Sequence, residues 1–297
     1  MTERVEQRMR AYLAGCGEEV HKLYEKLPAG KRLRAKLILY IAGESEEAID
    51  LAAIVELIHA ASLLHDDVID DAELRRGVAS INALFGNKSA IMLGDILYST
   101  GFAKLTRFSD TVASAIAEAV ADLSEGELLD VILSEAFNSD VEKYFDMIYK
   151  KTAVLIEATA RSAAHLAGKD EEAFAFYGKN LGLAFQVIDD LLDITATEER
   201  LGKPALHDFE EGKTTLPYIF LYQRLPQKER TYLRSLFKKT LTEEEKEWVL
   251  EKMDESGALQ RTITLARELG KEALEAIDKE ENPHLASIVQ AMIEREY

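Results

Sequence analysis

Cysteine is almost absent from this chain. Cys16 is the only one in 297 residues, which excludes an intramolecular disulfide and a cysteine-built metal site. Proline is scarce too, at five, so few positions force a helix to stop. Basic residues are in deficit: 36 Lys and Arg stand against 54 Asp and Glu, for a formal charge of −18 and a pI near 4.9. Nucleic-acid binding rests on basic patches that neutralise phosphates, so no nucleic-acid partner is expected. A small anionic ligand stays open wherever local cations outweigh the global field. No stretch approaches the ~18 uninterrupted apolar residues of a membrane span, so no transmembrane segment is expected. The opening MTERVEQRMR lacks the apolar core of a signal peptide, and the expected location is cytoplasmic. Period-two stretches of β-branched residues are also missing.

What is present is helical periodicity. A hydrophobic fraction of 47% with 30% charged residues is ordinary for a globular chain. In AIVELIHAASLLHDDVID the apolar Ile54, Leu57, Ile58, Ala61 and Leu64 recur at steps of three and four, and AIAEAVADLSEGELLDVIL and TAVLIEATARSAAHLAG repeat the pattern. Breakers gather at LPAGKR, GESEE, RRGVAS, LAGKDEE, RLGKPALHDFEEGKTTLP and ENP, which implies about ten helices joined by short loops. No Ser/Gly linker divides them, so an all-α bundle forming a single domain over residues 1–297 is expected. Beyond about residue 226 the Glu- and Lys-rich amphipathic stretches suit a solvated outer layer.

Two acidic clusters stand out. Asp66 and Asp70 are four apart and Asp67 and Asp70 three apart, so on a helix the carboxylates share one side. Asp189, Asp190 and Asp193 in FQVIDDLLDI repeat the spacing, again after an apolar helical stretch. A solvated acidic face would explain one such cluster; two, both following core-like segments, point further. Carboxylates without a histidine or cysteine ligand set suit a hard cation, and Mg²⁺ takes one or two carboxylates plus phosphate oxygens. Such a cluster would recruit metal, and metal would recruit diphosphate.

Cations capable of completing a diphosphate cage are Lys31 and Arg34 in GKRLRAK, Arg75 and Arg76 in ELRRG, Lys151 in KKTAVL, and Lys203 and Lys213 in GKPALHDFEEGKTTLP. Arginine matches phosphate oxygens with a fork and lysine supplies a mobile charge; each alone is equally readable as a solvated surface residue. His59 lies seven residues before Asp66, on the same helical face two turns away, a placement that suits either a ligand contact or a hydrogen-bonded core histidine. His65 with Asp66 forms an HD pair, but no other histidine supplies a metallophosphohydrolase pattern.

The set GKRLR, HDDVIDD followed by RRG, KT, FQVIDDLLD and GK…D…GKTTLP, in this order, resembles the trans-polyprenyl diphosphate synthases from about residue 28 to 220. The resemblance implies an isoprenoid-synthase-type helical bundle around a deep apolar central cavity, usually a homodimer, that elongates an allylic prenyl diphosphate with isopentenyl diphosphate using Mg²⁺. By the same resemblance Asp66, Asp67, Asp70, Asp189, Asp190 and Asp193 hold metal; Arg75, Lys151, Lys203 and Lys213 contact the allylic diphosphate; Lys31, Arg34, His59 and Arg76 hold isopentenyl diphosphate; and Thr152 and Gln186, with Lys151 and Lys203, serve catalysis. Ala35 stands where proline is usual, a departure that bears on helix entry more than on the cations. The chemistry accounts for the constellation: ionising an allylic carbon–oxygen bond needs fixed positive charge at the leaving group and a dry apolar wall around the carbocation.

In that family the residues four and five before the first aspartate set product length. Here they are Ser62 and Ala61, both small, so the pocket should run on toward Ile58 and Val55, with Tyr98, Phe102 or Phe137 as a deeper floor. The expected product has twenty carbons or more, apolar enough for a peripheral membrane contact at release. Close helix packing is the other reading of two small residues. A class I terpene cyclase would not need Lys31, Arg34 and Arg76, and a noncatalytic partner subunit would be expected to lose site residues that are all present here.

Overall fold

The computed structural model describes residues 1–195, 206–280 and 282–293. Helix dominates, as the periodicity requires, but the chain is cut more finely than into ten pieces: the described residues form sixteen α-helices. They fall into two compact units, one of residues 1–120 and 158–174, the other of residues 121–157 and 175–297.

The first unit holds α1 (Thr2–Leu13), α2 (Glu18–Tyr24), α3 (Leu33–Ala42), α4 (Glu46–Ile69), α5 (Ile81–Phe85) and α6 (Asn87–Leu105). Its centre is α4, which packs most extensively on α6 and also on α3 and α1. Ser45 starts α4 by accepting the Ala48 N–H at 3.1 Å, with Glu46 and Glu47 in the first turn opposite the positive end of the helix dipole. Ile49, Ala52, Ala53, Val55 and Leu57 are essentially inaccessible to solvent. By length and composition α4 is apolar enough to cross a membrane, yet 72% of that stretch is buried inside the protein, as for a core helix.

Between α4 and α5 the chain makes a feature absent from the sequence reading, a two-stranded antiparallel ribbon of β1 (Leu74–Arg75) and β2 (Val78–Ala79). Its turn is Arg76-Gly77, both at positive φ (54° and 77°), the signature of a tight primed hairpin turn. The helix-breaking RRG is thus a hairpin rather than a loop.

Three helices contribute residues to both units: α7 (Asp110–Leu133), α9 (Val154–Ala167) and α10 (Glu171–Thr195). The second unit also holds α8 (Val141–Ile148), α11 (His207–Glu210), α12 (Leu216–Arg224), α13 (Gln227–Leu236), α14 (Glu243–Ser256), α15 (Ala258–Ala276) and α16 (Pro283–Ile293). Here α12 packs on α15 and α14, and α15 on α16. Thr242 and Glu245 form a reciprocal capping box on α14. α8 passes into a π-helical turn, Tyr149–Ala153, before α9 resumes.

Candidate active site

In the first unit α4 delivers its three aspartates at its C-terminal end. Asp67 is buried, Asp66 half-buried and Asp70, the C-cap, exposed. The hairpin then sends its two arginines different ways. Arg75, in β1, forks onto Asp67, its Nε donating to Oδ1 at 2.7 Å and Nη2 to the same oxygen. Arg76, at the turn, lies against the backbone of Gly30, so closely that a Cβ there would sit 2.8 Å from its Nη1. Adjacent arginines in sequence therefore serve two places, one at the aspartates and one at the GKRLR segment.

That second place is a cluster of guanidinium groups around His59. Arg34 is buried on the first turn of α3, and burial pulls its pKa down to about 10, with Glu56 opposing and Arg76 adding to the fall. His59 is held well below its ordinary value by burial and then by Arg34, Arg76, Arg75 and Arg32. Nδ1 of His59 and Nε of Arg34 are buried with no hydrogen-bond partner among the described residues, and a buried polar atom is costly until something satisfies it. The exposed Lys31 precedes this cluster on the α3 approach. Convergent positive charge of this kind suits a small polyanion.

Ala61 and Ser62 are both buried on α4, and the Ser62 hydroxyl donates to the His59 carbonyl at 2.9 Å. Tyr98 stacks on Phe102 and faces the His65 ring in the first unit. Phe137 sits in the second, within an aromatic group of Phe209, Tyr222 and Phe237.

In the second unit the π turn carries Lys151 and Thr152. Lys151 Nζ reaches Glu127 at 3.0 Å and Asp130 at 2.6 Å, both on α7. Thr152 Oγ1 donates to Gln186 Oε1 at 2.8 Å, and Gln186 Nε2 donates to Asp190 Oδ1 at 2.9 Å. The Tyr144 hydroxyl donates to the other Asp190 oxygen. Burial pushes the Asp190 carboxyl up to about 7, against the hydrogen bond from Tyr144, with Asp208 and Asp189 raising it further. Asp193 accepts the Asp208 N–H on Oδ2 at 3.1 Å and the Leu206 N–H on its carbonyl at 3.0 Å, so it anchors the segment leading to Lys213. Lys213 Nζ lies 3.3 Å from Glu211. Lys203 lies outside the described residues. A groove lined by Val141, Phe145, Phe220, Arg224, Arg261 and Leu265 contains none of the expected site residues.

A hard dication fits these residues by the chemistry of the donor set. Both motifs offer carboxylate oxygens, three on α4 and its C-cap and three on α10. Among the described residues no three acid, imidazole or thiol side chains converge into a metal site of their own. Mg²⁺ ordinarily needs only one or two carboxylates, with phosphate and water filling the rest.

Six residues of this arrangement were given no role by the sequence: Glu56, Arg32, Tyr144, Glu127, Asp130 and Asp208. Arg32 lies within GKRLR and Asp208 is the acid of GK…D…GKTTLP, and Glu56 carried a signal as an acid inside the apolar run AIVELI. The others are neighbours through the fold, at sequence separations such as 46 for Tyr144 and Asp190.

Acidic helix ends, basic clusters and an all-α scaffold define a prenyltransferase of the isoprenyl synthase fold, and the comparisons agree. The chain belongs to the polyprenyl synthetase family, whose signature spans residues 18–253. It is 34% identical over 288 residues to the short chain isoprenyl diphosphate synthase of Methanothermobacter thermautotrophicus, covering 90% of this chain and 87% of that one. It is 37% identical over 256 residues to the octaprenyl diphosphate synthase of Escherichia coli, covering 84% and 79%. The crystal structure of octaprenyl pyrophosphate synthase from Helicobacter pylori superposes with a TM-score of 0.94 at 43% identity, over 99% of this chain and 98% of that one.

Proposed function

We propose that the enzyme condenses isopentenyl diphosphate head to tail with allylic prenyl diphosphates and releases an all-trans product of twenty carbons or more. The observation that carries this reading is the guanidinium cluster of Arg34 and Arg76 around His59, in the same unit as the α4 aspartates. An ionising enzyme with one substrate needs one diphosphate site; a condensing enzyme needs a second, and this cluster supplies it.

In this reading Lys31, Arg34, His59 and Arg76 bind the isopentenyl diphosphate. Asp66, Asp67, Asp70, Asp189, Asp190 and Asp193 hold Mg²⁺, which supplies Lewis-acid neutralisation of charge on the allylic diphosphate. Arg75, Lys151, Lys203 and Lys213 bind the same leaving group and stabilise it as the carbon–oxygen bond breaks, the electron pair going to oxygen. Thr152 and Gln186, joined to each other and to Asp190, present neutral dipoles rather than a strong base toward the reacting carbons. The isopentenyl double bond forms the new carbon–carbon bond and the proton lost goes to the departing diphosphate.

Small side chains at Ala61 and Ser62 support a long product, as do relatives named octaprenyl diphosphate synthases. A homodimer is supported by exposed apolar side chains spaced along one side of α7: Leu128 at 58%, Val131 at 41% and Ile132 at 51%. Incubating the purified chain with Mg²⁺, labelled isopentenyl diphosphate and an allylic starter tests the reading. Elongated prenyl alcohols after dephosphorylation support it; cyclised hydrocarbon or no incorporation refutes it.

A further inference from the structure

Three arginines, Arg32, Arg34 and Arg76, crowd the first unit's basic cluster, and one buried acid stands among them. Glu56 is 2% exposed and lies on α4 three residues before His59, on the same face. Its Oε1 accepts the Ala35 N–H at 3.0 Å and its Oε2 accepts Arg32 Nη1 at 3.2 Å. Arg32 in turn donates from Nε to Glu6 on α1. Helix α3 has no side-chain cap of its own: Arg32 occupies the N-cap in a left-handed conformation, φ 52° and ψ 44°. Such a conformation is uncommon for a residue other than glycine and persists where the surroundings over-determine it. Glu56 and Glu6 do this, one carboxylate on each side of the guanidinium. Glu56 therefore caps α3 from another helix and locks the turn from which Lys31 and Arg34 emerge. After burial, its carboxylate is the strongest influence on the pKa of both Arg34 and Arg32, favouring the charged form of each.

We propose that Glu56, acting through Arg32 and the α3 N-terminus, is a positioning residue for the isopentenyl diphosphate cage. It touches no substrate. Its carboxylate sets the direction of the GKRLR turn and supplies the counter-charge that lets Arg32, Arg34 and Arg76 stay together. The inference rests on the reading of that cage as the isopentenyl diphosphate site.

Three variants separate the possibilities in steady-state assays of the full chain with Mg²⁺, varying each substrate at saturation of the other, alongside thermal melting. Glu56→Gln keeps an oxygen for the Ala35 N–H but loses the charge that holds Arg32. Arg32→Met removes the other half of the clamp and leaves the cap. Arg34→Ala reports on the cage itself. The expected result is a KM for isopentenyl diphosphate raised about tenfold in both Glu56→Gln and Arg32→Met, a loss of 1.4 kcal/mol. The KM for the allylic substrate should stay within about twofold, since Arg75 and the aspartates are untouched. Losing a buried counter-charge should lower the melting temperature of Glu56→Gln, so the split between the two substrates' KM values, read on protein that is still folded, carries the test. Unchanged isopentenyl diphosphate KM in Glu56→Gln, or a parallel rise for both substrates, overturns the inference. Unchanged isopentenyl diphosphate KM in Arg34→Ala instead overturns the assignment of the cage. The two failures are therefore distinguishable.

Discussion

Substituting Gly126 by alanine is the sharpest perturbation of the Lys151 turn. A Cβ built on Gly126 falls 2.2 Å from the backbone nitrogen of Lys151 and 2.6 Å from the Lys150 carbonyl carbon, where ordinary contact begins at 3.4 Å. The obstacle is backbone, so the π turn has to retreat by about 1 Å. Two stability effects oppose each other. Overpacking costs about 1–3 kcal/mol, while exchanging glycine for alanine within a helix returns about 0.5–1 kcal/mol. The net loss of roughly 0–2.5 kcal/mol leaves a folded protein, melting a few degrees lower. Activity should suffer far more, because a 1 Å misplacement of a charge-stabilising group costs on the order of a hundredfold. The assay is kcat/KM for the allylic substrate beside a melting curve. Gly182→Ala presses on the same turn from α10, with its Cβ 2.5 Å from the Ala153 Cα, and should reproduce the effect. A melting temperature lowered by several degrees with kcat/KM retained in both variants would refute the argument that the two glycines aim Lys151 and Thr152.

Ala61→Phe should shorten the product with little loss of total turnover, read by chromatography of dephosphorylated products; an unchanged length distribution would show that Ala61 is only a packing contact. His59 is held neutral in the folded protein, so the unfolded chain takes up a proton that the folded chain refuses. Its contribution to stability is unaffected above about pH 6.5 and turns unfavourable as pH falls from there toward the lower folded value. His59→Gln should therefore lose melting temperature less steeply than wild type between about pH 7 and pH 5, and parallel slopes would contradict the buried-neutral assignment. Replacing Leu128 and Ile132 together by Glu should halve the mass seen by light scattering; an unaltered mass places any dimer contact elsewhere.

Much of the site was legible because its motifs are local. HDDVIDD and IDDLLD owe their geometry to helical spacing, and α4 and α10 do end in them. LPAGKR read correctly as a break between helices, with Gly30 and the positive-φ Arg32 ahead of α3. What stayed hidden depends on partners far along the chain. The π turn at Lys151 exists because α7 and α10 each present a glycine to it, and no periodicity in KKTAVL announces that. Tyr144 looks like one more apolar-face residue of α8 until Asp190 is seen beside it. The undercount of helices has a simpler origin: single residues such as Gly86 and Gly257, both at positive φ, end one helix and begin the next without a loop.

Five residues other than glycine carry positive φ among those described, and two of them are Arg32, which starts α3, and Arg76, which lies against Gly30 beside the basic cage. A left-handed residue with a side chain gives up about 1–2 kcal/mol that glycine would keep. At the hairpin turn Asn or Gly would sit more comfortably than Arg76. The chain therefore tolerates two ill-suited corners to keep two guanidiniums, and Arg76→Gly should yield a sturdier but poorer catalyst. Selection for thermal robustness alone would erode this cage first.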